Sequence, residues 1–201
     1  MIPGGIAVGF EQPVDEPEMS ASEVITKFHK ALIESMKAGE EAGYGGRYGI
    51  LEPVVRESYD FKTIARTVLG SSWKTISEEE RVAFVDVFSK FTIATYASRF
   101  DGYHGEKFET ISEKERRKNL RMVHSVFTDG QGKERSFDYQ MLLVKKQWRI
   151  VNIAVDGISD ISLKRAEYTN IIKRKGFAAL LTNLKDHIHA MEPAAEKNKN
   201  G

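Results

Sequence analysis

Trp148-Arg-Ile-Val-Asn-Ile-Ala-Val-Asp-Gly-Ile-Ser-Asp160, running on into Leu163-Lys-Arg-Ala-Glu-Tyr168 and Gly176-Phe177, is the stretch from which the fold can be read. Its first residues have the composition of an apolar strand, Asp156-Gly157 that of a sharp turn, and the charged remainder that of a helix. Ile150 and Ala154 fall on one face of the strand and Val151, Ile153 and Val155 on the other. Both faces are thus apolar, which predicts a strand that is central or covered on both sides. Upstream the same period of two recurs over residues 108–112, 119–128 and 135–144, with Asp129-Gly130 and residues 145–147 as turns. That is a meander of four antiparallel strands. On the third, Phe137, Tyr139, Met141 and Leu143 share one face, and Asp138, Gln140, Leu142 and Val144 share the other.

Before and after the strands the period becomes helical. Ser20 with Glu23 forms a capping box ahead of the stripe Val24, Ile25, Phe28, Leu32 and Met36, and Gly39 is expected to end that helix. Gly43-Tyr-Gly-Gly-Arg-Tyr-Gly49 follows a helix and lacks the Lys-Ser/Thr of a phosphate loop, so it reads as a flexible connector into a helix over residues 50–58. Tyr59-Asp-Phe61 leads into a short amphipathic segment ending at Gly70. A second capping box, Ser77 with Glu80, opens a helix over residues 77–100 whose segment 91–97 carries no charge on any face. Such a segment is either buried all round or lines a cavity. Helices over residues 160–175 and 177–189 close the chain, so the class is α+β, an antiparallel sheet wrapped by N- and C-terminal helices. Residues 1–18, with three of the five prolines, and residues 191–201 read as disordered polar ends around one domain over residues 19–190.

Composition removes several functions. Thirty Lys and Arg against twenty-nine Asp and Glu give a net charge of +1, too little basic excess for a dedicated nucleic-acid binder. The basic runs at residues 114–121 and 173–175 are interrupted or neighboured by Glu113, Glu115 and Glu167 and read as solvated faces or helix ends. With no cysteine there is neither a disulfide frame nor thiol chemistry. No apolar run reaches the ~18 residues of a membrane span, and residues 1–10 lack a signal peptide's basic start and apolar core. A cytosolic protein or a mature form with its leader removed would both fit.

Catalytic signatures are missing. The five histidines are scattered and read as surface residues; His187 and His189, two apart on a helix, point about 200° away from each other and cannot share a metal. Asp156 and Asp160 are accounted for by a turn and an N-cap. Asp138, the lone carboxylate inside a strand, is expected in solvent or in a salt bridge. No Gly-x-Ser-x-Gly elbow or Ser-x-x-Lys motif stands in a strand-to-helix context. No cofactor and no metal is expected, and the chain reads as a binding protein. An isomerase-like cone domain with an isolated acid is the enzymatic alternative.

Leu69-Gly-Ser-Ser-Trp73, Ser77-x-x-x-Arg81-x-x-Phe84-x-x-x-Phe88 and Thr95-Tyr96-Ala97-x-Arg99-Phe100 together resemble the helical core of the MlaC or toluene-tolerance family, periplasmic lipid-carrying auxiliary proteins of ABC-transport systems. Tyr59-Asp-Phe61 with Ile64-Ala65 fits the same pattern. The segment from Trp148 through Asp156-Gly-Ile-Ser-Asp160, with Arg165-x-x-Tyr168 and Gly176-Phe177, is more similar to the HpnM branch associated with hopanoid biosynthesis. The resemblance covers residues 20–190 and implies a twisted sheet wrapped by helices with an apolar cavity between them. It implies a periplasmic carrier of a hopanoid-like lipid, or alternatively of a phospholipid, with inner-membrane transporter and outer-membrane lipid-transport proteins as partners. On that reading Tyr96, Phe100, Phe137, Met141, Ile153, Tyr168 and Ile172 contribute to the cavity, and Ala94→Trp would fill it.

Overall fold

A computed structural model describes residues 17–196. It opens with α1 (Ala21–Ser58), α2 (Phe61–Leu69), α3 (Ser72–Thr75) and α4 (Glu78–Arg99). The sheet follows as β1 (Lys107–Arg117), β2 (Leu120–Thr128), β3 (Glu134–Val144), β4 (Gln147–Val155) and β5 (Ile158–Ser159), and α5 (Asp160–Lys175) and α6 (Phe177–Glu196) close the chain. Both capping boxes form: Ser20 and Ser77 each accept from the backbone N–H three residues on, while Glu23 and Glu80 reach back to the cap. The expected N-terminal arm falls almost wholly outside the described residues. Of the C-terminal tail expected from residue 191, residues 191–196 are helical as the end of α6, and the rest lies outside the described residues.

The glycine run is not a flexible connector. α1 breaks at Gly39 (φ 49°, ψ −140°) and Gly43 (φ 63°, ψ −177°) and is helical again as far as Ser58. Tyr44, Arg47, Leu51 and Val55, spaced three and four apart, are all buried in that second half, and their burial overrides the poor helix propensity of Gly45, Gly46 and Gly49. Arg47 holds the break in place. Its Nε donates to the carbonyl of Ala97 at 2.9 Å and its Nη1 to that of Gly39 at 2.7 Å, so one guanidinium satisfies carbonyls at the end of the first half-helix and in the last turn of α4.

The sheet is antiparallel throughout, in the order β1-β2-β3-β4-β5. It has five strands where the meander predicts four. The extra one, two residues long, pairs Ile158 with Val155 across Asp156 (φ 49°) and Gly157 (φ 80°), the positive-φ pair of a tight hairpin. Lys145 and Lys146 (φ 47° and 66°) make a second two-residue reversal, so Gln147 is in β4 and not in the turn.

β4 is not apolar on two covered faces. Gln140 pairs with Asn152 and Met141 with Ile150, which leaves Val151 as an extra residue in β4. Across this bulge the alternation shifts by one. Trp148, Ile150, Ile153 and Val155 therefore face the same side, opposite Leu143, Met141, Tyr139 and Phe137, while Gln147, Arg149, Asn152 and Ala154 lie opposite Val144, Leu142, Gln140 and Asp138. The sheet has one apolar face. Against that face lie α1 and α5, and α4 packs on α1, α2 and α6. Ala94, fully buried in α4, belongs to this packed core. A Trp there would overpack the helix contacts before it tested any cavity.

Candidate apolar binding site

At the end of the sheet where β1 begins and β2 ends, the apolar face meets the C-terminal turns of α4 in a wedge of rings. Tyr96 of α4 and Phe100, its C-cap residue, lie with ring centroids 5.9 Å apart. Phe100 meets Phe108 of β1 and Phe127 of β2, each at 6.4 Å, and Phe127 meets Phe137 of β3 at 6.3 Å. These five rings are half-buried. Behind them Phe28 of α1 is an enclosed hub, in contact with Tyr59, Tyr96 and Tyr139 at 5.8, 5.4 and 6.4 Å. The rings stand edge-on or tilted to one another, as aromatic quadrupoles prefer.

Four polar groups sit among these rings. The hydroxyls of Tyr59 and Tyr96 share one hydrogen bond, and Tyr139 Oη lies 2.9 Å from His29 Nε2. Burial pushes the phenols of Tyr59, Tyr96 and Tyr139 well above the usual tyrosine range, so all three remain neutral hydroxyls. Burial likewise lowers His29 to about 3, and it is a neutral ring stacked on Phe108 at 4.2 Å. His29 is thus not a surface histidine. Ser125 Oγ, on the same sheet face as Phe137, is buried without a partner among the described residues.

The seven residues expected to line a cavity divide. Tyr96, Phe100 and Phe137 lie in the wedge, and Ile153 borders it directly opposite Tyr139. Met141, opposite Ile150, is fully buried further along the sheet. Tyr168 is also buried, but against Phe84 and Phe88 on the N-terminal half of α4, with half-buried Ile172 one turn on along α5. Sequence reasoning overlooked Phe28, Tyr59, Phe108, Phe127, Tyr139 and His29. His29 had a signal, since it lies four residues after Ile25 and three before Leu32 on the apolar stripe. Where a cavity is expected between sheet and helices stand the rings of the wedge. A separate open groove of about 370 Å³ lies on the outer face between α2 and α4, lined by Phe61, Trp73, Arg81, Val82 and Val85 among others.

The neighbouring acids have local duties. Asp138 pairs with His124 at 2.8 Å, and Asp156 accepts from the backbone N–H of Ser136 at 2.9 Å. The N-cap of α5 is Ser159 and not Asp160; Asp160 opens the helix and pairs with Lys164 at 2.5 Å. Its charge adds to the upward shifts of Tyr59, Tyr96 and Tyr168, which are set mainly by burial.

A sheet with one apolar face, wrapped by helices that meet it through half-buried rings and neutral hydroxyls, defines a fold suited to an apolar ligand with a small polar part. The chain belongs to the MlaC protein family, whose model matches residues 26–186. Among solved structures, the phospholipid-binding protein from Ralstonia solanacearum, determined in complex with a phospholipid, is similar with a TM-score of 0.72 at 17% identity, over 86% of this chain and 99% of that one. At that identity the likeness establishes the α+β fold.

Proposed function

We propose that this protein is a lipid-binding carrier and not an enzyme, and that it takes the acyl chains of a phospholipid into the wedge between α4 and the sheet. The observation that carries this reading is the half-buried cluster of Tyr96, Phe100, Phe108, Phe127 and Phe137, where the apolar face of the sheet stays accessible in a fold whose solved neighbour holds a phospholipid. Each methylene brought into water costs about 0.8 kcal/mol, so some fifteen exposed methylenes cost roughly 12 kcal/mol. A carrier removes most of that barrier by offering an apolar enclosure, without covalent chemistry. The rings move aside to admit the chains, and aromatic side chains that are only half-buried yield at lower cost than a closed core.

A periplasmic location, with transporter complexes of both membranes as donor and acceptor, accords with the family. Among the described residues no helix is long and apolar enough to cross a membrane. A polycyclic, hopanoid-like lipid is the second reading, favoured by the Asp156–Asp160 segment, whose last residue opens α5 and adds its charge to the upward shift of the Tyr96 phenol.

Mass spectrometry of an organic extract of the purified protein tests both. Phospholipid masses are expected in the wild type and at least about tenfold less in Phe100→Lys, with an unchanged circular dichroism spectrum. Polycyclic masses would transfer the assignment to the second reading, and an extract free of lipid would sink the carrier.

A further inference from the structure

The hydroxyl protons inside the wedge do not balance. Tyr59 and Tyr96 carry two O–H groups and share a single hydrogen bond, with no other partner for either among the described residues. Whichever hydroxyl donates, the other keeps a proton without an acceptor. Tyr59 is enclosed by Phe28 and Phe61, whereas the Tyr96 residue is half-buried, beside half-buried Phe100. The arrangement that leaves the spare proton useful is Tyr59 donating to Tyr96, with the Tyr96 O–H turned toward the ligand. Tyr139 does not take it up: its hydroxyl is bonded to His29 and makes no hydrogen bond with Tyr96 among the described residues.

The surroundings restrict what acceptor fits. Two charges act on the Tyr96 hydroxyl: Asp160, which is negative and paired with Lys164, and, more weakly, Arg99, which is positive. A phosphate brought here would leave water for a place where the negative Asp160 outweighs the positive Arg99, so an anionic acceptor is disfavoured. A ligand hydroxyl would bring a second proton into a place that already has one too many. A neutral group that only accepts, a carbonyl oxygen, matches the surplus.

We propose that Tyr96 donates to an ester carbonyl where the acyl chains join the glycerol, so that the protein selects acylated glycerolipids over lipids with the same chains and no carbonyl. This rests on the lipid-carrier reading. It sets depth as well as class: chains lie below Tyr96 among the rings, and the phosphate stays above it toward solvent.

The test compares delipidated protein loaded with diacyl phosphatidylcholine or with its dialkyl ether analogue of equal chain length, each displacing the same fluorescent lipid. One neutral hydrogen bond predicts a preference of about three- to tenfold for the diacyl lipid. Tyr96→Phe is expected to abolish the preference by weakening diacyl binding to the level of the ether lipid. Tyr59→Phe, which leaves the Tyr96 hydroxyl in place, keeps the preference. Equal wild-type affinity for the two lipids overturns the inference while leaving the carrier reading intact, and displacement by neither overturns the carrier reading itself. If Tyr96→Phe does not fold, the wild-type ratio alone still decides.

Discussion

His29 stands on the apolar stripe of α1, enclosed by Phe28, Phe108 and Tyr139, and is only 5% exposed. Burial holds its folded pKa at about 3, below the ordinary value of 6.5. With the folded pKa the lower of the two, the unfolded chain binds the extra proton between those values, and stability falls as pH drops through the window. The loss is absent above about pH 6.5 and amounts to about 2–3 kcal/mol by pH 4.5. Urea midpoints measured from pH 7.5 to 4.5 are expected to fall more steeply for the wild type than for His29→Gln, which retains a partner for Tyr139 but cannot titrate; parallel curves would refute the assignment. Arg47 allows a second measurement. Lysine keeps the charge but has no planar fork with which to reach the carbonyls of Gly39 and Ala97 together, so Arg47→Lys should lose about 1–3 kcal/mol in the same assay at pH 7.5. Wild-type stability in that variant would show that the clamp contributes nothing.

Within one helical element the seven residues from Gly43 to Gly49 contain glycines of opposite kinds. Gly43 has φ 63° with ψ −177°, a region open essentially to glycine alone, so Gly43→Ala should cost about 1–3 kcal/mol. Gly45 and Gly49 are helical, and an added Cβ would meet nothing within 4 Å; alanine there should gain about 0.4–1 kcal/mol at each site. Thermal melts of the three variants should therefore move in opposite directions, and a gain for Gly43→Ala would show that the break in α1 is not needed. This run was not legible as a helix because propensity and packing point opposite ways there, and only the burial of Tyr44, Arg47, Leu51 and Val55 decides. The strands were legible from their period of two, yet β4 misled for one reason. A single extra residue, Val151, makes a one-faced strand look apolar on both faces when it is read without its partner. The caps were legible because they are local. The wedge was half legible: Tyr96, Phe100 and Phe137 follow from element faces, but their meeting with Phe28, Tyr59 and Phe127 depends on how α1 and α4 cross the sheet.

For the molecule as a whole, a ligand that enters the wedge becomes part of the fold's stability. The rings of Tyr96, Phe100, Phe108, Phe127 and Phe137 link α4 to three strands while remaining half-buried, so acyl chains added there bury apolar surface that the protein alone leaves accessible. A ligand that binds only the folded state stabilises it by RT ln(1 + [L]/Kd), about 1.4 kcal/mol for each tenfold rise in free lipid above Kd. In a chain of this size each 1 kcal/mol raises Tm by roughly 2–4 °C. Delipidated protein titrated with a short-chain diacyl phosphatidylcholine below its micellar concentration should therefore melt higher in proportion to the logarithm of lipid concentration. Hydrogen exchange on the same samples locates the effect. Amides of β1, β2, β3 and the last turns of α4 should gain protection, whereas α2 and the N-terminal half of α4, which line the outer groove, should not. Protection appearing at Phe61, Val82 and Val85 instead would move the ligand to that outer groove, and a Tm indifferent to lipid would remove it from the folded protein altogether.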